Sequence, residues 1–309
     1  MPNIWSRRRH DMMIEEIRTH ARNLLENKEL DVVIGYGEGS DPTRTTPVFI
    51  RKPEEVDRLI FDPRCINSLP IYLNKRKAYP KKGWKRTGII GKGCDIRAIT
   101  QLIAENQLSR DEVYIFGVPC KGVVSHFSKW DGGLHDDNRA TKCSKCDVQV
   151  PYECDFFPGE QPDIDRSGPY EVSAPQVLNL LNLKTDKRFE FWQQEFDRCF
   201  KCYACREVCP HCSCNICITD RTTPTWVDQA PHLKGVFGWH ITRALHLVGR
   251  CTGCGECTRA CPVDIQVDLF NQRMKDIVQN SFGYKSGYSE TEKPPLITYM
   301  TEDKENFIK

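Results

Sequence analysis

The spacing of apolar residues predicts one helix and three short strands in the first half of the chain. Residues 10–27 carry apolar side chains three or four positions apart, which is typical of an amphipathic helix. Apolar runs at residues 31–34, 87–90 and 113–118 predict strands, and a helical pattern follows the second run. Strands that alternate with helical segments favour an α/β domain with a mostly parallel sheet. Cys94 and Cys120 would then lie just beyond the carboxyl ends of two strands, where open α/β sheets bind ligands.

The second half has a different pattern. Residues 158–176 are rich in Pro and Gly and have little periodicity, so they predict a linker. Two helical patterns, near residues 189–196 and 236–247, each lead into a run of cysteines. We therefore predict four segments, namely an α/β domain at 1–157, the linker, an α+β dicluster ferredoxin-like domain with added helices at 177–287, and a polar arm at 288–309 that lies on this protein or on a partner.

Composition excludes little beyond extremes of charge and a membrane span. The formal net charge of the 309 residues is +2, so the whole molecule has no electrostatic preference for nucleic acid or a membrane surface. The basic stretch 75–86 includes aromatic residues, but no nucleic-acid-binding motif accompanies it, which favours a solvated or partner-docking loop. We expect no nucleic acid partner. The sequence contains no apolar run of about 18 residues and no pattern of a signal peptide, which predicts a cytoplasmic protein without a transmembrane segment.

Seventeen cysteines make metal or redox chemistry the first hypothesis. A secreted disulfide scaffold is disfavoured, because such proteins are usually shorter and carry an even number of cysteines. Two runs share the pattern C-x2-C-x2-C-x3-C-P, in which one loop presents three thiolates to a cubane and the fourth reaches the other cluster. This reciprocal pattern predicts two 4Fe–4S clusters, one held by Cys199, Cys202, Cys205 and Cys261, the other by Cys251, Cys254, Cys257 and Cys209. Zinc is the alternative, although zinc sites usually use paired C-x2-C units.

The remaining cysteines give weaker patterns. Cys94, Cys120, Cys143 and Cys146 could complete a third 4Fe–4S site if the C-x2-C loop folds over the edge of the sheet; the alternative is two buried cysteines and half of a zinc site. Cys212, Cys214 and Cys217 form a C-x-C-x2-C motif. They are candidates for a further cluster or a zinc ion, completed by Cys65, Cys154 or a histidine such as His211, and equally for buried thiols that pack as small apolar residues.

Three glycines follow the first predicted strand. Gly35, Gly37 and Gly39 are candidates for close contact with a flavin phosphate, as FAD would require. Their spacing differs from the dinucleotide-binding fingerprint and no helix pattern follows them, so a turn is the favoured interpretation.

Three segments resemble the β-subunit family of deazaflavin (coenzyme F-420) hydrogenases and dehydrogenases, joined to a bacterial-type dicluster ferredoxin domain as in formate dehydrogenase β subunits. IIGKGCDIRAI at 89–99 is similar to the family's strand, G-x-P-C turn and helix. IFGVPC at 115–120 is similar to its second strand, and KCSKCDVQVPYECDFFPG at 142–159 to its C-x2-C-x-D segment. The resemblance implies that Cys94, Cys120, Cys143 and Cys146 hold a 4Fe–4S cluster, which in the family lies beside a flavin.

The chain departs from that family at one place. It lacks a clear match to the D-G-G turn and long helix that help to form the family's flavin and deazaflavin site. We therefore predict an electron-transfer subunit that does no bond chemistry and relays single electrons between other redox subunits, such as a flavoprotein or subunits like those of formate dehydrogenase, hydrogenase or heterodisulfide reductase. The alternatives are a flavoprotein that acts on a deazaflavin or nicotinamide and, more remotely, a zinc-stabilised regulatory protein.

Overall fold

The computed structural model describes residues 7–74, 84–144, 146–162, 175–299 and 301–302. Most of the basic stretch 75–86, the larger part of the predicted linker and the end of the predicted arm therefore lie outside the described residues. Within the described residues, no helix is both long and apolar enough to cross a membrane.

The first half is built on a four-stranded sheet with the order β2-β1-β3-β4. Its strands are β1 (Val32–Glu38), β2 (Thr45–Ile50), β3 (Thr87–Gly91) and β4 (Val113–Gly117), and helix α1 (Arg7–Glu26) precedes them. The pairs β1–β3 and β3–β4 are parallel, whereas β1–β2 is antiparallel. All residues of β3 are buried, as expected for a central strand whose sequence is a continuous apolar run.

Strand β2 was not predicted, because Pro47 and its neighbours suggested a connecting loop. The strand is an edge of the sheet, where a proline is tolerated because one side of the strand needs no hydrogen-bonding partner. Gly35 and Gly37 lie inside β1 rather than in a turn after it. An added Cβ at Gly35 would lie 2.5 Å from Leu59, and one at Gly37 would lie 2.7 Å from Val48, so close packing explains both glycines.

A strand–helix unit is present after β3 but not after β4. Helix α2 (Gly93–Ala104) starts directly beyond β3, and the Asp95 side chain accepts a hydrogen bond of 3.2 Å from the Lys92 amide in a capping box. Residues 118–140 contain no helix, so the alternation of strands with helical segments that the sequence predicts does not continue after β4. Beyond β4 the backbone pairs instead with the segment that follows the C-x2-C motif, since the Cys120 amide donates to the Gln149 carbonyl at 2.7 Å.

Residues 175–299 are helices and loops without a strand, which differs from the predicted α+β arrangement. The helices are α3 (Pro175–Asn182), α4 (Thr185–Asp197), α5 (Ala204–Glu207), α6 (Leu233–His246), α7 (Glu256–Arg259) and α8 (Val267–Phe282). Gly283, with a φ of +66°, ends α8 in the left-handed conformation that glycine adopts without strain. The ferredoxin-like arrangement as a whole and the domain boundaries stay predictions.

The two halves pack against one another through buried hydrogen bonds. The Asn74 side chain donates to the Pro210 carbonyl at 2.6 Å. Near the C-terminus, the Tyr284 hydroxyl and the Gly287 amide both bond to the Gln101 side chain of α2, at 3.0 and 2.9 Å. In the described part of the predicted arm, Lys293 donates to the Ala104 carbonyl, so this part lies on the protein itself.

Candidate metal centres

The two cysteine runs have the same backbone conformation. Lys201 and Tyr203 in the first run and the equivalent Gly253 and Gly255 in the second all have positive φ angles, between 59° and 74°. Each loop then enters a four-residue helix, α5 or α7, that carries the third cysteine of its run. Lysine and tyrosine rarely adopt this conformation, so its presence in both loops indicates that the repeated cysteine spacing requires it.

Backbone amides in these loops point at the sulfur atoms. Burial raises the pKa of the Cys199 thiol, and a hydrogen bond from the Lys201 amide opposes part of that rise. Burial also raises the pKa of the Cys251 thiol, and a hydrogen bond from the Gly253 amide opposes part of that rise. Amide donors around thiolates are the interactions that stabilise an anionic sulfur cluster and tune its potential, so the loops fit such a group.

The cysteines of the first predicted set are neighbours of one another, and their role as a ligand set stays a prediction. Burial raises the pKa of Cys199, and the charges of Cys205, Cys261 and Cys202 raise it further. The Ile265 amide donates to the Cys261 sulfur at 3.3 Å. Cys202 is exposed whereas Cys205 is buried, so this set lies at the protein surface on one side.

The second predicted set lines one cavity. Cys209, Cys251, Cys254 and Cys257 all contribute to its wall. Asn271 also lines it and donates from Nδ2 to the Cys257 sulfur at 3.7 Å. Cys209 and Cys257 are each 8% exposed, so this set is more enclosed than the first.

The four N-terminal cysteines also converge. Cys94 lies in the first turn of α2, Cys120 lies three residues beyond β4, and Cys143 ends a 3-10 turn. Burial raises the pKa of Cys94 to about 12, and the neighbouring charges include Cys146. Burial likewise raises the pKa of Cys120, to which the Cys143 and Cys94 charges add.

Gly93 permits this convergence. An added Cβ there would lie 1.7 Å from the carbonyl oxygen of Val148, so the loop after Cys146 reaches the start of α2 only because residue 93 is glycine. The segment after the C-x2-C motif therefore packs beyond the ends of β3 and β4, and a cluster held by the four N-terminal cysteines stays a prediction.

The C-x-C-x2-C cysteines do not share one environment. Burial would raise the pKa of Cys217, but hydrogen bonds from Thr219 and Arg206 outweigh it and lower the pKa. The charges of Cys212 and Cys214 instead raise the pKa of Arg250, which forms an ion pair with Glu105. Within the described residues no metal site combines all three, and their role stays a prediction.

The three residues suggested as an additional ligand for these cysteines lie in separate environments. Cys65 is fully buried, and burial raises its pKa to about 12. Cys154 packs against Gly117, and burial raises its pKa to about 11. His211 is buried and its Nε2 lies 3.3 Å from the Thr252 hydroxyl. In the part of the chain that the structure describes, no group of three or more His, Cys, Asp or Glu side chains is placed to hold a metal ion.

Sequence reasoning missed two buried cations beside the cysteines. One is Arg243, which lies three residues before His246 on α6 and is only 4% exposed. The signal was present in the sequence, since residues 236, 239, 240, 243 and 244 form one helical stripe that is otherwise apolar or aromatic. Lys92 is also buried and bonds to Asp95 at 2.8 Å and to the Asn67 carbonyl at 2.9 Å.

Comparison with known proteins gives two relatives that match nearly the whole chain. The F420-dependent formate dehydrogenase subunit beta of Methanocaldococcus jannaschii is 23% identical over 88% of this chain and 91% of its own length. The F420-dependent formate dehydrogenase 1 subunit beta of Methanococcus maripaludis is 22% identical over 89% of this chain and 90% of its own length. No model of a known protein family matches the chain.

One solved structure shows a partial similarity. A chain of the F420-reducing nickel–iron hydrogenase complex from Methanosarcina barkeri is 20% identical over 35% of this chain and 38% of its own length, with a TM-score of 0.31. The resemblance noted from the sequence motifs is confirmed by the two full-length relatives.

Proposed function

We propose that this chain, a member of the deazaflavin dehydrogenase β-subunit family, is an electron-transfer subunit of an oxidoreductase complex and relays single electrons through cysteine-bound iron–sulfur clusters. The observation that carries the proposal is the cavity lined by Cys209, Cys251, Cys254 and Cys257. Four cysteines from two distant loops line it, which supports the crossed ligand pattern of a two-cluster ferredoxin. The curated relatives are named as subunits of formate dehydrogenases, which supports a role within a larger redox enzyme.

The described contacts support an order for the relay. The first cysteine set reaches the surface at Cys202, whereas the second is enclosed. Lys142, next to Cys143 of the N-terminal set, donates from Nζ to the Cys254 carbonyl at 2.9 Å. We infer that electrons pass in the order surface set, enclosed set, N-terminal set. Arg243 links the first two, since it lines the cavity of the enclosed set and donates to the Cys205 carbonyl, and Lys142 links the last two.

The clusters would supply one-electron redox chemistry, and the protein would supply position and environment. A reduced centre in one partner subunit loses one electron and a centre in another gains it, while no bond is made or broken in this chain. The partners we propose are catalytic subunits that carry a flavin or a metal, such as those of formate dehydrogenases, hydrogenases or heterodisulfide-reductase-like enzymes. We propose that the relay operates in the cytoplasm.

The experiment that tests this proposal is iron, sulfide, zinc and flavin analysis of protein prepared without oxygen. Three clusters predict about twelve iron atoms per chain. Cys257→Ala should lower the content by about four, whereas Cys154→Ala, a matched substitution at a half-buried cysteine outside the predicted sets, should not change it. Protein that contains only zinc would overturn the proposal.

A second candidate function has one observation in its favour. A cleft of about 330 Å³ between the two halves is lined by residues that include Tyr72 and Arg259. It is also lined by Ser68 and Glu256, which are nearly fully buried and each have an oxygen without a hydrogen-bonding partner. Such a cleft beside a cysteine loop could hold part of a flavin or a nicotinamide. Bound flavin together with deazaflavin-dependent turnover by the isolated chain would favour this catalytic function over the relay.

A further inference from the structure

Helix α6 carries a buried guanidinium into the space between the two ferredoxin-type cysteine sets. Arg243 lies within the stripe that also buries Val236, Trp239 and Ala244, and it is 4% exposed. Moving a charged side chain out of water is costly unless another charge or several hydrogen bonds compensate it. The position of Arg243 therefore requires a source of negative charge nearby.

The hydrogen bonds of Arg243 compensate it only in part. Nη2 donates to the Cys205 carbonyl oxygen at 3.0 Å, and the buried Nε has no partner. Among the described residues, no carboxylate forms an ion pair with this guanidinium. Two carboxylates line the neighbouring cavity, but Glu256 pairs with Arg259 and the Asp268 carboxylate accepts a hydrogen bond from the Thr258 hydroxyl.

The groups near Arg243 that can carry negative charge are cysteines of both sets, because Arg243 lines the cavity of Cys209 and Cys257 and bonds to the Cys205 carbonyl. Burial lowers the pKa of Arg243, but the charges of Cys209, Cys205, Cys212 and Cys257 raise the pKa well above the ordinary value. Cys205 belongs to the first predicted set, and Cys209 and Cys257 belong to the second. The neighbouring His240 adds no positive charge near neutral pH, because burial and the Arg243 charge lower its pKa to about 3.

We propose that Arg243 is a positioning residue that holds a permanent positive charge between the two ferredoxin-type cysteine sets and thereby raises the reduction potential of both. This inference rests on the proposed function. Adding one electron makes either set more negative, and a fixed cation in a poorly solvated site stabilises that reduced form more than the oxidised one. The guanidinium keeps its proton throughout, so no proton accompanies the electron at this residue.

The test is a redox titration of the full chain with dithionite under anaerobic conditions, followed by electron paramagnetic resonance. Arg243→Met removes the charge and Arg243→Lys keeps it. His246→Gln, at an exposed position one turn further along α6, is the control. For Arg243→Met we expect the reduction equilibrium of both ferredoxin-type signals to shift at least tenfold toward the oxidised form, about 59 mV for a one-electron couple. The N-terminal signal, Arg243→Lys and the control should stay within threefold of the wild type.

Two outcomes would overturn the inference. One is an Arg243→Met protein with iron content and potentials like those of the wild type. The other is an Arg243→Lys protein whose reduction equilibrium shifts tenfold, because the positive charge, which lysine retains, would then not be what sets the potential. If Arg243→Met does not retain iron, the charge-removing variant Arg243→Gln takes its place in the titration, where a shift of the same size supports the inference and wild-type potentials overturn it. Failure of the proposed function is distinguished separately, since wild-type protein would then give no iron–sulfur signal.

Discussion

Lys142 joins the two halves of the protein, because its Nζ donates a hydrogen bond of 2.9 Å to the carbonyl oxygen of Cys254, 112 residues further along the chain. The same ammonium donates to the Ile66 carbonyl at 2.8 Å and lies 4.0 Å from the Glu256 carboxylate. It is therefore the cation between the N-terminal cysteines and the enclosed ferredoxin-type set.

Replacing this cation should weaken the junction. Lys142→Met removes two charge-assisted hydrogen bonds and leaves the buried Glu256 with Arg259 as its remaining ion-pair partner. We expect the free energy of unfolding to fall by about 2–4 kcal/mol. Anaerobic denaturant unfolding measures the change, and Lys234→Met, at an exposed position of α6, is the matched control. Equal stability of the two variants would contradict a structural role for the Lys142 contacts.

Exposure to air should affect the surface set first. Cys202 is exposed, whereas Cys209 and Cys257 are 8% exposed, and access of oxidant to thiolates and clusters follows exposure. We expect iron to be lost from aerated protein in two phases, of which the faster accounts for about four atoms. Cys202→Ala protein should lack the fast phase. A single phase in the wild type, or a fast phase that persists in the variant, would contradict this order.

His20 should make stability depend on pH. Its Nε2 lies 2.8 Å from the Tyr114 hydroxyl and its ring stacks on Phe156 at 4.3 Å. Burial lowers the pKa of His20, and the charge of Glu29 opposes this in part. Because the folded pKa is below the unfolded one, the unfolded state binds more protons as the pH falls below about 6.5, and stability is lost there.

The measurement is the free energy of unfolding between pH 7.5 and 5.5 in matched variants. His20→Phe keeps an aromatic ring on Phe156 but cannot titrate, so its stability should fall less steeply than that of the wild type. Tyr114→Phe removes the hydrogen bond and keeps the imidazole, so the free energy of unfolding of this variant should still fall as the pH is lowered. Parallel curves for His20→Phe and the wild type would contradict a lowered pKa.

Gly287 should be essential for docking the C-terminal segment onto α2. Its φ is +78°, and an added Cβ would lie 2.2 Å from the Arg97 carbonyl oxygen. Gly287→Ala therefore combines an unfavourable backbone conformation with a steric clash, and we expect a loss of about 3 kcal/mol or more. Gly132→Ala is the control, because Gly132 has a φ of +102° but an added Cβ there meets no atom within 4 Å.

Comparing the stability lost by the two variants separates the steric clash from the unfavourable backbone conformation. The control should lose only the conformational contribution, on the order of 1 kcal/mol, in the same thermal unfolding measurement. If the two variants lose the same stability, close packing against Arg97 is not what fixes Gly287.

The sequence determined the features that depend on neighbours along the chain. The apolar period predicted α1, β1, β3, α2 and β4, which the structure has within a few residues of the predicted bounds. The spacing of the cysteine runs predicted which thiols should meet, because a C-x2-C-x2-C loop is short enough for its own geometry to orient its sulfurs. The matching left-handed residues, Lys201 and Gly253 among them, show this local origin.

Only the tertiary structure decided the features that depend on packing between distant segments. Strand β2 forms because β1 offers it an edge, and residues after β4 form no helix because their backbone pairs with the segment after Cys146. Arg243 is buried because α6 turns that stripe toward the cysteines, and Lys142 reaches Cys254 because the halves pack together. Periodicity reports which face of a segment is apolar, but not which distant charge that face will meet. The cysteines around Arg243 come from loops that adjoin only in the fold.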